Sequence, residues 1–196
     1  MNSSALVLTY FNQVKRFKSM KLTTEANLIF NTPNAGGSSV ESEVLSLEML
    51  KKYFNAKLLK TEMEVSYFPE GGSITDYVVL VFDIVVGVSV TRAMKFNGEF
   101  TLDDANVLLN KKLKGILQSS RNSLIKWEKQ LLHVWVYDEN VMNVLTQAWA
   151  QVDPGLKSNT VMIVTLASNS MEIFTNQKPN TKTHINHNKL QQLVQS

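Results

Sequence analysis

Leu58–Ala93 reads LLKTEMEVSYFPEGGSITDYVVLVFDIVVGVSVTRA, and its patterning decides the fold. Along Leu58–Phe68 the side chains alternate, with Leu59, Thr61, Met63, Val65 and Tyr67 on one side and Lys60, Glu62, Glu64 and Ser66 on the other. A period of two with one apolar and one polar face is the mark of a half-buried strand. Pro69-Glu70-Gly71-Gly72-Ser73 supplies a turn. Thr75–Ile84 and Val85–Ala93 follow as two more strands, and Asp83 is a normal residue for the tight reversal between them. The stretch therefore predicts a three-strand antiparallel meander.

Outward from the meander, the period changes to that of helices. Ser38 followed by Glu41 makes a capping-box start, and Val40, Val44, Leu47, Leu50 and Phe54 form the apolar stripe of the helix it opens. Thr101 with Asp104 caps another, whose buried face holds Ala105, Leu108, Leu109, Leu113, Ile116, Leu117 and Leu124. Lys111, Lys114, Gln118 and Arg121 recur at three- to four-residue steps on its other side, giving a basic face. Leu131–Tyr137 reads as a strand. Asn140–Val152 reads as a helix ended by Asp153-Pro154-Gly155, and Thr160–Ala167 as a strand buried on both faces. Strand, helix, strand implies a parallel crossover. The fold class is thus α/β, a mixed sheet flanked by helices.

Three segments follow from these patterns: 1–37, 38–167 and 168–196. The first is basic, with Lys15, Arg16, Lys18 and Lys21 ahead of the first acid at Glu25, and Val7, Tyr10, Phe11, Val14 and Phe17 fall at helical spacing. It reads as a terminal helix packed on the domain, a mitochondrial-type transit segment, or an arm for nucleic acid or a membrane surface. Because the α/β pattern is complete without it, residues 1–30 are expected to be dispensable for folding. The last segment is rich in Asn, Gln, Thr and Lys and is expected to be a low-complexity tail.

The chain of 196 residues is the size of one large domain, and 44% apolar residues suffice for a layered core. It has no cysteine, which excludes a disulfide scaffold, a thiolate metal site and a cysteine nucleophile. The expected location is intracellular, in cytoplasm or nucleus, with the mitochondrial matrix a third option. No apolar run reaches the roughly 20 residues that a membrane span needs. The net charge of +3 admits contact with phosphate without requiring it. His133, flanked by apolar residues, reads as a satisfied core histidine, and His184 and His187 have metal-like spacing but lie in the tail. Gly71-Gly72-Ser73 leads into a strand, so it is a hairpin turn rather than a phosphate loop.

The order helix, three-strand meander, helix, strand, helix, strand resembles the restriction-endonuclease-like, or PD-(D/E)XK, nuclease core. That resemblance implies a glutamate near the start of the first core helix, an aspartate opening the second strand, and an acid-X-lysine triplet on the third. Glu41 or Glu43 lies at the helix start, Asp76 opens the second strand, and Ser89-Val90-Thr91 occupies the place of the triplet. Residues at i and i+2 on a strand share a face, so Ser89 and Thr91 project together as an acid and a lysine would. Hydroxyls replace neither the charge of a carboxylate nor that of an ammonium. In a rearranged site Glu62 or Glu64 would supply the missing acid, with Asp76 and Glu64 as the metal ligands. Lys95, or Lys111 and Lys114, would supply a relocated lysine, and the cofactor of an active enzyme would be Mg²⁺.

The function expected on this basis is a catalytically degenerate nuclease-like domain, serving as a nucleic-acid-binding or protein-interaction module through Lys111, Lys114, Gln118 and Arg121. The alternatives are a metal-dependent nuclease with a rearranged site and an unrelated α/β protein whose element order imitates this core. The composition of the tail is similar to that of proteins from AAC-rich messages of cellular slime moulds, a resemblance that implies no activity.

Overall fold

A computed structural model describes residues 3–35 and 40–175. Its centre is a six-stranded mixed sheet in the order β1-β6-β5-β4-β3-β2. The elements run β1 (Ala5–Tyr10), α1 (Thr24–Asn31), α2 (Val40–Phe54), β2 (Lys57–Thr61), β3 (Tyr77–Val81), β4 (Ile84–Ala93), α3 (Leu102–Asn122), β5 (Lys129–Val136), α4 (Glu139–Gln151), α5 (Pro154–Lys157), β6 (Thr160–Leu166) and α6 (Met171–Phe174). The expected α/β class and the order of core elements are observed. β2, β3 and β4 are antiparallel, and β4, β5, β6 and β1 are parallel.

Sheet alternation sorts the core into two layers. Val86, Val88 and Val90 of β4, with Leu131 and Trp135 of β5, pack against α1, α2 and α6. Ala93, Leu132, Val134, Val136, Met162 and Val164 face the other way, onto α3 and α4. Each fully buried Leu or Val contributes roughly 1.5–3 kcal/mol relative to exposure. Such a sheet is held from both sides, so residues at its strand ends have fixed positions. At the other end of the meander Phe82 and Asp83 make the reversal, both with positive φ (49° and 63°), as a two-residue hairpin turn requires.

Four expectations are corrected. Residues 5–10 form a strand, not a helix: β1 runs parallel to β6 with Val7 beside Ile163, and it sends Leu6 and Val7 to opposite layers of the core. Ala5–Leu8 is a continuous apolar run, the pattern of a strand packed on both faces, and sheet pairing wins. The first meander strand stops at Thr61, because the Glu64 carboxylate accepts both the Thr61 backbone N–H (2.8 Å) and its hydroxyl (3.0 Å), turning Glu62–Glu64 into a 3₁₀ helix. Leu124 is exposed rather than buried, since α3 ends at Asn122. The chain also stays folded past Ala167: Ile173 and Phe174 of α6 are buried, and Arg92 Nη1 donates to the Ile173 carbonyl at 3.3 Å. Ser38 and the remainder of the tail, with His184 and His187, lie outside the described residues.

Candidate functional site

Asp76 sits one residue before β3, and three contacts fix its neighbourhood. Its backbone N–H donates to the Val88 carbonyl at 3.0 Å, and the preceding Thr75 hydroxyl donates to the same carbonyl at 2.8 Å. The carboxylate Oδ2 accepts the Val90 backbone N–H at 2.6 Å. Ser89 lies between those two β4 residues. Asp76 and Ser89 line a cavity of about 430 Å³ whose far wall is α3, contributed by Lys111, Lys112, Gly115 and Ile116. Glu62 and the Gly72–Ser73 turn close its rim. Lys112 reaches inward, and its Nζ donates to the Val90 carbonyl at 3.3 Å.

The electrostatics follow from this enclosure. Burial pushes the Asp76 carboxyl up to about 7; the nearby Glu43 carboxylate and, more weakly, Glu62 push the same way, against the pull of Lys112 and the Val90 N–H. Glu43 is itself buried near the start of α2, and its charge is felt by Arg92. Glu41 is raised, first by burial and then by Glu172, against Lys18 and Arg92. Asp76 thus shares a buried setting with a second carboxylate and exchanges its proton near neutral pH.

The predicted site residues fall into two groups. Asp76, Ser89 and Glu62 line the cavity and Lys111 stands at its α3 wall. Glu43 reaches Asp76 through its charge. Glu64 does not join them, because its carboxylate is spent on Thr61. Lys95 is also spent, in an ion pair with Asp104 at 2.8 Å. Thr91 projects from the same strand face as Ser89 but is no part of the cavity wall. Lys114, Gln118 and Arg121 are exposed along α3. Lys112 was hidden within a basic run. Its signal was its place beside Leu113 and three residues after Leu109, at the border of the apolar stripe, where a lysine stem lies along apolar surface and delivers its charge to the edge.

Among the described residues, no group of three or more His, Asp or Glu side chains is arranged to hold a metal ion. Asp76 and Glu62 are the carboxylates on the cavity wall, and Ser89 presents a hydroxyl there.

On the opposite face of the sheet lies a buried polar chain that the sequence reading met only at His133. Tyr77 Oη, Ser46 Oγ, His133 Nδ1, His133 Nε2, Thr165 Oγ1 and Thr9 Oγ1 are linked at 2.6, 2.6, 2.7 and 2.7 Å. The Thr9 hydroxyl also lies 3.5 Å from the Val164 carbonyl. Each hydroxyl has one proton, so the His133 tautomer sets the direction of the chain: with Nε2–H the ring donates to Thr165 while Ser46 donates to Nδ1 and Tyr77 to Ser46, and with Nδ1–H the ring donates to Ser46 while Thr165 donates to Nε2 and Thr9 to Thr165. Burial holds the imidazole down at about 3, so it is neutral. His133 is a satisfied core residue, as its apolar flanks indicated.

No family model matches the chain. It is similar to the "AAC-rich mRNA clone AAC4 protein" of Dictyostelium discoideum, with 44% identity over 161 residues, 78% of this chain and 24% of that protein. The chain thus spans about a quarter of the length of this curated relative, and the slime-mould likeness read from composition is observed. Among solved structures, that of Pyrococcus furiosus SfsA in complex with Ca²⁺ aligns at a TM-score of 0.32 and 14% identity, covering 69% of this chain and 70% of that one.

Proposed function

We propose that this domain binds the phosphate backbone of nucleic acid on a catalytically degenerate nuclease-like core. The observation that carries the reading is the make-up of the cavity at Asp76. Two lysines, Lys111 and Lys112, and the hydroxyl side chains of Ser73 and Ser89 surround the deeply buried Asp76, with Glu62 the one further carboxylate on the wall. Ammonium groups and hydroxyls are the donors that hold phosphate oxygens. The aspartate does not oppose this, because a carboxyl with its pKa near 7 is partly protonated at neutral pH and can then donate to an oxygen. What the cavity lacks is the acid-X-lysine pair, since Ser89 and Thr91 supply neither charge. A polyanion suits the run Ala105–Trp127, which contains Lys111, Lys112, Lys114, Arg121 and Lys126 and no acid, better than a neutral protein surface does.

The inward position of Lys112 favours a second reading, a nuclease with a rearranged site in which this lysine replaces that of the triplet. The two readings part in one assay. Labelled single- and double-stranded DNA and RNA are incubated with the chain in Mg²⁺ or Mn²⁺, beside Asp76→Ala. Binding without cleavage supports the degenerate module. Metal-dependent cleavage abolished in Asp76→Ala overturns it in favour of the nuclease.

A further inference from the structure

Between the first and second meander strands the chain runs as an arm alongside the C-terminal half of α3. Phe68 N–H donates to the Asn122 carbonyl at 2.8 Å, Leu124 N–H to the Ser66 carbonyl at 2.9 Å, and Tyr67 bridges to Ser123. Nearer the cavity, Ser73 N–H donates to Gln118 Oε1 at 3.2 Å. Gly72 lies against the Gln118 side chain and has φ +87°, a backbone conformation that favours glycine. Gln118 belongs to the exposed row of Lys111, Lys114 and Arg121, and its contact places the arm beside that row. Lys126 extends the row, its Nζ donating to the carbonyls of Arg121 (3.2 Å) and Ser123 (2.6 Å). The stretch Ser66–Ser73 that runs along α3 carries one acid, Glu70, with Glu62, Glu64 and Asp76 to either side of it.

At the end of this track remote from the cavity, Phe68 is 76% exposed. The phenyl ring is exposed, and the hydrogen bond from its backbone N–H to Asn122 sets it at the C-terminal end of α3. Its backbone is tied to α3, so its place relative to Arg121 is fixed. From Lys111 to Arg121 the α-helical rise gives about 15 Å, the span of a few nucleotides. A cationic groove with a flanking aromatic is the arrangement that takes single strands, because unpaired bases offer their faces for stacking while those of a duplex are already stacked.

We infer that the arm and α3 form a binding track for single-stranded nucleic acid, with phosphates along Lys111, Lys114 and Arg121 and a base stacked on Phe68. The inference rests on the nucleic-acid reading above and narrows its substrate class. Its test is fluorescence anisotropy of the chain with a labelled 12-nucleotide DNA, the same sequence as RNA, and a hairpin duplex of that sequence, at one salt concentration. The single strands are expected to bind at least about tenfold more tightly than the duplex. Phe68→Ala is expected to weaken single-strand binding about tenfold, leaving duplex binding unchanged, and Phe68→Trp to retain it. Equal affinity for strand and duplex, or Phe68→Ala binding like the native chain, overturns the single-strand track while leaving the nucleic-acid reading in place. Failure to bind any of the three probes overturns both.

Discussion

The carboxylate of Asp76 accepts the backbone N–H of Val90 at 2.6 Å, the middle residue of Ser89-Val90-Thr91, while Lys112 donates to the carbonyl of the same Val90. Acid and lysine therefore flank the triplet without belonging to it. The Asp76 proton is bound more tightly in the folded chain than in the unfolded one, where its pKa is 3.8, so the folded state holds the extra proton between about pH 4 and 7 and stability falls as pH rises through that window. Asp76→Asn keeps an acceptor for Val90 and has no charge to bury. Urea unfolding is expected to show the variant equal to the native chain near pH 4 and more stable at pH 8, by up to about 4 kcal/mol. Parallel pH profiles for the two chains would refute the buried, raised carboxyl.

Ser89→Asp places a second carboxylate in the cavity beside Asp76. Two like charges in a buried site repel, so without metal the variant is expected to lose stability, roughly 1–3 kcal/mol at pH 7.5. Mn²⁺ should then raise its melting temperature by several degrees and leave that of the native chain unmoved. An equal response of both proteins to Mn²⁺ would show that the native donor set already holds a divalent ion.

His133→Phe removes the centre of the buried polar chain and leaves Ser46 and Thr165 each short of one partner, at a cost of about 1–3 kcal/mol for each orphaned group. The pH dependence carries the second signature. The native imidazole stays neutral down to about pH 3, whereas in the unfolded chain it takes a proton below about 6.5, so native stability falls as pH drops through that interval. Thermal melts from pH 7 to 4 should show that acid-side fall in the native chain and lose His133's part of it in the variant.

Deletion of residues 1–30 removes β1, leaves β6 as a bare edge, and strips Phe17, Ala26 and Ile29 from the layer beneath α2. Cooperative unfolding is expected to be lost, as read by far-UV circular dichroism against temperature. A sharp transition in the truncated chain would show that the N-terminal strand is an accessory to the fold.

That deletion marks where sequence and structure parted. The meander and the two crossover strands were legible because Val78, Val79, Val86, Val88 and Val90 combine β-branching with turn residues at fixed places. Thr101 with Asp104 announced α3, and the capping box is formed, with Asp104 Oδ2 accepting the Thr101 N–H at 2.9 Å. Val7 was not legible as a strand residue, since six residues are too few to separate a period of 2 from one of 3.6, and the partner strand is more than 150 residues away. At the site, Asp76 and Glu43 could be placed because strand and helix starts are local events. The fates of Glu64 and Lys95 could not, because each is decided by one nearby partner, Thr61 or Asp104, that a periodic pattern does not reveal. Lys112 was lost for a related reason. One position on a helix, 100° of rotation, separates a solvated lysine from one that reaches a cavity.

Whether the chain holds nucleic acid without cutting it is read by anisotropy of a labelled 12-nucleotide single strand, titrated with the full chain over rising salt in the presence of Mg²⁺ and followed over time. The expected result is saturable binding whose logarithmic salt slope is about −2 for three phosphate contacts at about 0.7 each, with a signal that stays constant over hours. Absence of binding at low salt, or a signal that decays in Mg²⁺ and is held steady by Asp76→Ala, would contradict it.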